Sequence, residues 1–167
     1  MKNTSVRPAD DAERVIHTYG NTLFRICLIL LGNAADAEDI VQETMIKYLQ
    51  NAPAFESVEH EKAWLIRVAT NKCKDILRFK SRHPVADIDE IAEITEFTKD
   101  ASDSDILEAL MTLPDKFRVV LVLYYVEGYS VAEISRIIGR TESAVKMRLK
   151  KGRRLLGEAY RKEYRDD

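Results

Sequence analysis

Apolar residues return every three or four positions near the start of the chain, at Ala12, Val15, Ile16, Tyr19, Leu23, Phe24, Cys27, Leu30 and Leu31, and the pattern stops at Gly32. This is the period of a helix with one buried face, closed by a residue that accepts a left-handed backbone. Asn33 is placed to cap a second helix, and Asp36 lies near the positive end of that helix. Ala37, Ile40, Val41, Met45, Tyr48, Leu49 and Ala52 form its apolar stripe, which ends before Pro53. A polar loop over residues 51–62 leads to a third periodic segment, from about Lys62 to Arg82, whose Leu65, Ala69, Cys73, Ile76 and Leu77 face inward.

Between His83 and Asp105 the period is lost. Asp87, Asp89, Glu90, Glu93, Glu96, Asp100, Asp103 and Asp105 are offset only by Lys99, so the segment reads as a flexible acidic linker with at most one weak helical turn around Ile88 to Phe97. Beyond it Ile106, Leu107, Leu110 and Met111 begin a new pattern, Leu113-Pro114 interrupts it, and Phe117, Val120, Leu121, Leu123 and Tyr124 resume it up to Gly128. Two helices are expected, with proline in the first turn of the second. Ser130 followed by Glu133 is a capping box for a short helix through Ile138, Gly139 makes a turn, and Thr141 caps a final helix that runs past Leu156. The outline is a helix-turn-helix. The expected fold is all-α, with a three- or four-helix domain over residues 8–82, the linker over 83–104 and a helix-turn-helix domain over 105–161.

The polar faces carry the candidate chemistry. Val145, Leu149, Gly152 and Leu156 place one side of the last helix against Ile134, Ile137 or Ile138, which leaves Ser143, Met147, Lys150 and Arg154 on the other side, flanked by Lys146, Lys151 and Arg153. A helix-turn-helix lays such a surface in the major groove: Glu142, Ser143, Lys146 and Met147 are then candidate base readers, and Lys150, Lys151, Arg153 and Arg154 candidate phosphate anchors. The third helix repeats the theme, since Arg67, Asn71, Lys74 and Arg78 form one outward stripe in which an amide sits among cations. Trp64 and Phe55 lie near its start and can either stack on unpaired bases or fill core. On the second helix Asp36, Asp39, Gln42 and Glu43 make an acidic face that solvation and the helix dipole suffice to explain.

A net charge of −2 excludes a uniformly basic nucleic-acid binder, but it hides a separation of acidic and basic segments. Six glycines and four prolines in 167 residues are too few for a turn-rich all-β fold. The longest aliphatic run, Ile26 to Leu31, is far short of the roughly 20 residues that span a bilayer, and the start lacks the apolar core of a signal peptide, so a cytoplasmic protein without membrane insertion is expected. Cys27, Cys73, His17, His60 and His83 have no ligand spacing, so no metal is expected and the cysteines read as buried small hydrophobes. No nucleophile-base pair or glycine-rich phosphate loop is present, and no catalytic residue or cofactor is expected.

Four segments together resemble extracytoplasmic-function (ECF) sigma factors of the sigma-70 family: DAEDIVQET at 36–44, AWLIRVATNKCKDILR at 63–78, LPDKFRVVLVLYYVEGYSVAEI at 113–134 and GRTESAVKMRLKKGRRLL at 139–156. The resemblance implies that the first domain is sigma region 2 and the second sigma region 4. It implies that Asp36, Asp39, Gln42 and Glu43 contact the β′ clamp helices of core RNA polymerase. Phe55, Trp64, Arg67, Asn71, Lys74 and Arg78 then bind and melt the −10 element of promoter DNA. Region 4 docks on the β flap, and its last helix reads the −35 element through the same base readers and phosphate anchors. An inhibitory anti-sigma factor is a further implied partner. Ser135 stands where the family usually has alanine and Met147 where a small polar residue is common, a departure that bears on the −35 sequence read. The competing interpretation is a stand-alone helix-turn-helix regulator, against which stands the lack of a dedicated dimer helix.

Overall fold

The computed structural model describes residues 7–82 and 104–164, and every regular element among them is helical. The linker expected over residues 83–104 falls almost wholly outside the described residues. α1 (Ala9–Leu31), α2 (Ala34–Asn51) and α3 (Val58–Arg82) form the first module. α4 (Ser104–Met111), α5 (Asp115–Leu121), α6 (Val131–Ile138) and α7 (Glu142–Tyr164) form the second.

The ends of these helices follow local chemistry. Gly32 ends α1 in the left-handed conformation at φ 70°, and the Asn33 side chain accepts the Asp36 N–H at 2.8 Å to open α2. Ser130 and Glu133 form the full reciprocal box on α6, Gly139 comes after it at φ 67°, and Thr141 Oγ1 accepts the Ala144 N–H at 3.1 Å. Two boundaries differ from the sequence pattern. α3 begins at Val58, because Ser57 Oγ accepts the His60 N–H at 3.1 Å and caps it there, so the preceding loop is shorter than expected. Pro114 is the residue before α5 and not within its first turn.

α5 does not stop at Leu121 but widens into one π-helical turn over Val122–Val126, where the Glu127 N–H reaches back five residues to the Val122 carbonyl at 3.1 Å. One extra residue in a turn rotates the next residues of the chain by about 100°. Glu127 is thereby carried beneath α1, and its carboxylate takes two bonds from Arg25, from Nε at 2.7 Å and Nη2 at 2.8 Å.

The modules share one continuous apolar core. It runs from Val15, Leu23, Ile26 and Leu30 of α1 through Ile40 and Tyr48 of α2 and Leu65 and Ala69 of α3 to Val120, Leu123, Ile134, Val145 and Leu149 of the second module. Cys27 and Cys73 are free thiols within it. Arg118 of α5 is also buried: its guanidinium donates to the Leu30 carbonyl of α1 at 2.7 Å, to that of Leu113 at 2.9 Å and to that of Met111. Burial pushes its pKa down to about 10, with the Asp115 carboxylate acting in the opposite sense. α7 crosses α5 closely, because a Cβ on the buried Gly152 would lie 3.2 Å from Leu121 Cδ1.

Two outcomes are expected for stability. Arg118→Met leaves buried carbonyls without a donor and should cost at least about 1–3 kcal/mol in urea unfolding, with Arg118→Lys recovering only part, since an ammonium lacks the planar fork. Gly152→Leu should cost about 1–3 kcal/mol by forcing α7 off α5, read as a lower thermal midpoint.

Candidate nucleic-acid interface

The stripe predicted on α3 exists as a face. Arg67, Asn71 and Arg78 are exposed along it and Lys74 is half-buried. The cause of that burial is the second module. Asp115 of α5 lies 3.9 Å from Arg78, and burial pushes the Lys74 ammonium down while Asp115 draws it back up and the guanidinia of Arg148, Arg78 and Arg140 push it lower. The Arg67 guanidinium lies against Gly139, where a Cβ would oblige that long side chain to move, and the φ of 67° is what favours glycine there.

The start of α3 is held by a polar and aromatic network. Glu61, buried at 6% exposure, accepts the Tyr48 hydroxyl at 2.6 Å and Arg14 Nη2 at 2.7 Å. Burial first, and then the Glu61 bond, pushes the Tyr48 hydroxyl up to about 12 and keeps it a donor. Phe55 lies parallel to the Tyr48 ring, with centroids 6.1 Å apart at 9°, and Trp64 meets Tyr48 edge-on at 6.2 Å. Arg7 sits over both Tyr48 and Phe55, at 4.7 and 5.1 Å from the ring centroids, and donates to the Pro53 carbonyl. The 53–57 loop is thus anchored through its aromatic side chain. Both of the readings open for Phe55 and Trp64 retain an observation: each ring packs on neighbours, yet both remain partly exposed. Trp64 also lines a cavity of about 360 Å³ with Ser57, His60, Arg67 and Arg136.

The second cationic face is on α7. Glu142, Ser143, Lys146, Lys150, Lys151, Arg153 and Arg154 are exposed, and Met147 is 73% exposed on the same side, while Val145 and Leu149 are buried opposite. Arg153 Nη1 donates to the Tyr125 hydroxyl at 3.1 Å and Lys151 lies 5.5 Å above the Phe117 ring, so these anchors are partly pre-positioned. Between the two cationic faces the structure brings in residues that the sequence pattern does not single out. Arg140 is exposed beside the turn, and Arg148 is half-buried with its pKa pushed down by burial and by Arg140. The signal available for Arg140 was its place directly after the turn glycine; Arg148 had none, because it lies between the two stripes of α7.

The acidic face of α2 is exposed at Asp39, Gln42 and Glu43, and half-buried at Asp36. Two of its carboxylates are tied to α3, Glu43 to Lys72 at 3.1 Å and Asp36 to Lys80 at 2.9 Å. Both pairs are open enough to water to add little to stability. Among the described residues no three His, Cys, Asp or Glu side chains are grouped to hold a metal, and no helix is long and apolar enough to cross a membrane.

This arrangement coincides with the findings of comparison with known proteins. Residues 15–83 match the family model for Sigma-70 region 2, and residues 103–156 that for Sigma-70, region 4. The ECF RNA polymerase sigma factor SigW of Bacillus subtilis is 30% identical over 168 residues, covering 91% of this chain and 88% of its own. The ECF RNA polymerase sigma factor SigM of Mycobacterium tuberculosis is 29% identical over 150 residues, covering 87% and 76% respectively. Among solved structures, the sigma factor RpoE in complex with the anti-sigma factor NepR from Bartonella quintana superposes with a TM-score of 0.69 at 22% identity, covering 90% of this chain and 97% of that one. CnrH in complex with the cytosolic domain of CnrY gives 0.65 at 22%, covering 90% and 88%. At these identities the superpositions speak for the fold, whereas the sequence relatives speak for descent: with two helical modules in the family's order and a relative that aligns over most of both chains, this chain belongs to the ECF RNA polymerase sigma factors.

Proposed function

We propose that the chain recruits core RNA polymerase to promoters, contributing recognition and melting while the covalent chemistry stays with the core enzyme. The observation that carries this reading is the presence of two cation-bearing helix faces on two modules of one chain, α3 and α7, each backed by buried apolar residues. A regulator that reads a single site needs only the second.

In this reading Glu142, Ser143, Lys146 and Met147 meet base edges of the −35 element, and Lys150, Lys151, Arg153 and Arg154 hold phosphates. Asn71 makes the base contact of the −10 face, with Arg67, Lys74 and Arg78 on the backbone. Phe55 and Trp64 offer rings to bases that leave the stack, beside the cavity that Trp64 lines. Asp36, Asp39, Gln42 and Glu43 contact the β′ clamp helices, which requires the Lys72 and Lys80 pairs to yield or to be shared, and the second module docks on the β flap. The eight acids between residues 83 and 105 suit a basic channel of the core enzyme. An anti-sigma factor is the inhibitory partner. The modules occupy residues 8–82 and 105–161, and the site of action is the cytoplasm.

Transcription in vitro with core enzyme over a library of genomic fragments, with start sites mapped, tests this directly. Asn71→Ala should lower initiation by roughly 5- to 150-fold, the equivalent of about 1–3 kcal/mol at one base contact, with core binding retained. Lys150→Ala should weaken −35 binding evenly across sequences and lower the salt slope by about one. One observation favours a stand-alone regulator, namely that the α7 face is complete and open in the chain alone. Duplex binding as tight without core enzyme as with it would decide for that reading.

A further inference from the structure

The loop that carries Phe55 has few ties of its own. Among the described residues the backbone of 53–56 makes two hydrogen bonds: the Glu56 N–H donates to His60 Nδ1 at 3.3 Å, and the Pro53 carbonyl accepts from the guanidinium of Arg7. The second donor lies outside the stretch that matches the Sigma-70 region 2 model, which begins at residue 15. An arginine that precedes α1 thus reaches a loop 46 residues further along the chain.

Arg7 is itself held from several sides. Its backbone N–H donates to the Leu49 carbonyl near the end of α2 at 3.2 Å, its Nη1 donates to the Tyr48 hydroxyl at 3.2 Å, and Asp11 lies 3.3 Å from the same nitrogen. The Tyr48 hydroxyl is free to accept because its own proton goes to Glu61. So fixed, the guanidinium spans the nearly parallel rings of Tyr48 and Phe55, with the side chain only 20% exposed. A cation over a ring face is drawn to its π cloud, and more strongly where water is kept off. Arg7 binds a carbonyl and a ring of one loop together, which sets both the path of the loop and the direction in which Phe55 faces. Trp64 and His60 meet Phe55 edge-on, with centroids 5.8 and 5.2 Å away, and Phe55 still remains partly exposed.

We infer that Arg7 is a positioning residue for promoter melting, acting through Phe55 by holding that ring ready for a base that leaves the stack. The role presupposes the sigma-factor reading above, which assigns Phe55 to unpaired bases. Unstacking is offset only by what the protein gains on capture, and a ring that must first be ordered returns less of it. Lysine is a poor substitute: an ammonium can sit over a ring, but it lacks the planar fork that serves a carbonyl, a hydroxyl and two ring faces at once.

The test uses holoenzyme assembled from the full chain and core enzyme, on a promoter identified by start-site mapping and prepared in two forms, an ordinary duplex and one whose −10 region is held open by mismatches. Arg7→Gln should slow open-complex formation on the duplex by about tenfold, the scale of one side chain left to be ordered on binding, read from the permanganate reactivity of −10 thymines. On the mismatched promoter it should initiate nearly as well as the unaltered chain. Arg7→Lys should recover only part of the duplex rate, and Arg7→Gln should add no further loss when Phe55 is already replaced in Phe55→Ala. An unchanged rate on the duplex would overturn the inference, as would an equal loss on both promoter forms, which marks a defect of folding or core binding. A further loss from Arg7→Gln in the Phe55→Ala background would overturn it too, since Arg7 would then act on DNA or core enzyme directly. Core-dependent initiation at mapped promoters by the unaltered chain judges the sigma-factor reading separately, whichever way the Arg7 results fall.

Discussion

The guanidinium of Arg118 is the interaction on which the arrangement of the helices depends. A buried charge must be solvated by the protein, and here the solvent is three backbone carbonyls at or just past the ends of α1 and α4. Those ends carry the negative pole of each helix and have carbonyls left over by the helical pattern, so a planar donor fork answers two needs at once. Its Nε finds no partner among the described residues, which marks the cost of placing a charge so deep. Because Arg118 belongs to α5, its position also sets the line along which α5 continues into the π turn that brings Glu127 to Arg25.

This packing has two consequences for the cationic faces. α7 turns its buried side to α5, through Gly152 and Leu149, and so keeps its cations outward. The same docking sets the turn at Gly139 against Arg67, at the start of the cationic stripe of α3. Both helix surfaces keep exposed cations, and the close approach of α7 to α5 depends on the glycine at position 152.

At the start of α3 the aromatic side chains serve two purposes. Tyr48, with its hydroxyl bonded to Glu61, is fully buried and forms a floor on which Phe55 and Trp64 rest. Rings so supported are pre-oriented, and a base that stacks on them meets little loss of side-chain freedom. Arg14 and Arg7 complete the floor from α1 and from two residues before it, which ties the loop to the most deeply packed helix of the first module.

Helix existence, most helix ends and the buried sides of α1, α2, α3 and α7 were legible in the sequence because they arise from near neighbours. Capping by Asn33, Ser130 and Thr141 spans three residues, and the apolar period spans four. The exposed cations of α7 were legible for the same reason, being whatever the buried stripe left over. The four-residue error at the start of α3 has a local cause too, since Ser57 is an ordinary capping residue within a polar stretch that carried no apolar period. Only the tertiary structure decided the contacts between charges and groups far apart in the chain. Arg25 and Glu127 are 102 residues apart, and Arg118 and Leu30 are 88. A charge stranded in an apolar run, as in LFRICL or KFRVVL, was the only hint that these arginines turn inward. Such a hint says that a partner exists without naming it, because pairing at that separation is set by how whole helices pack and not by any repeat along the chain.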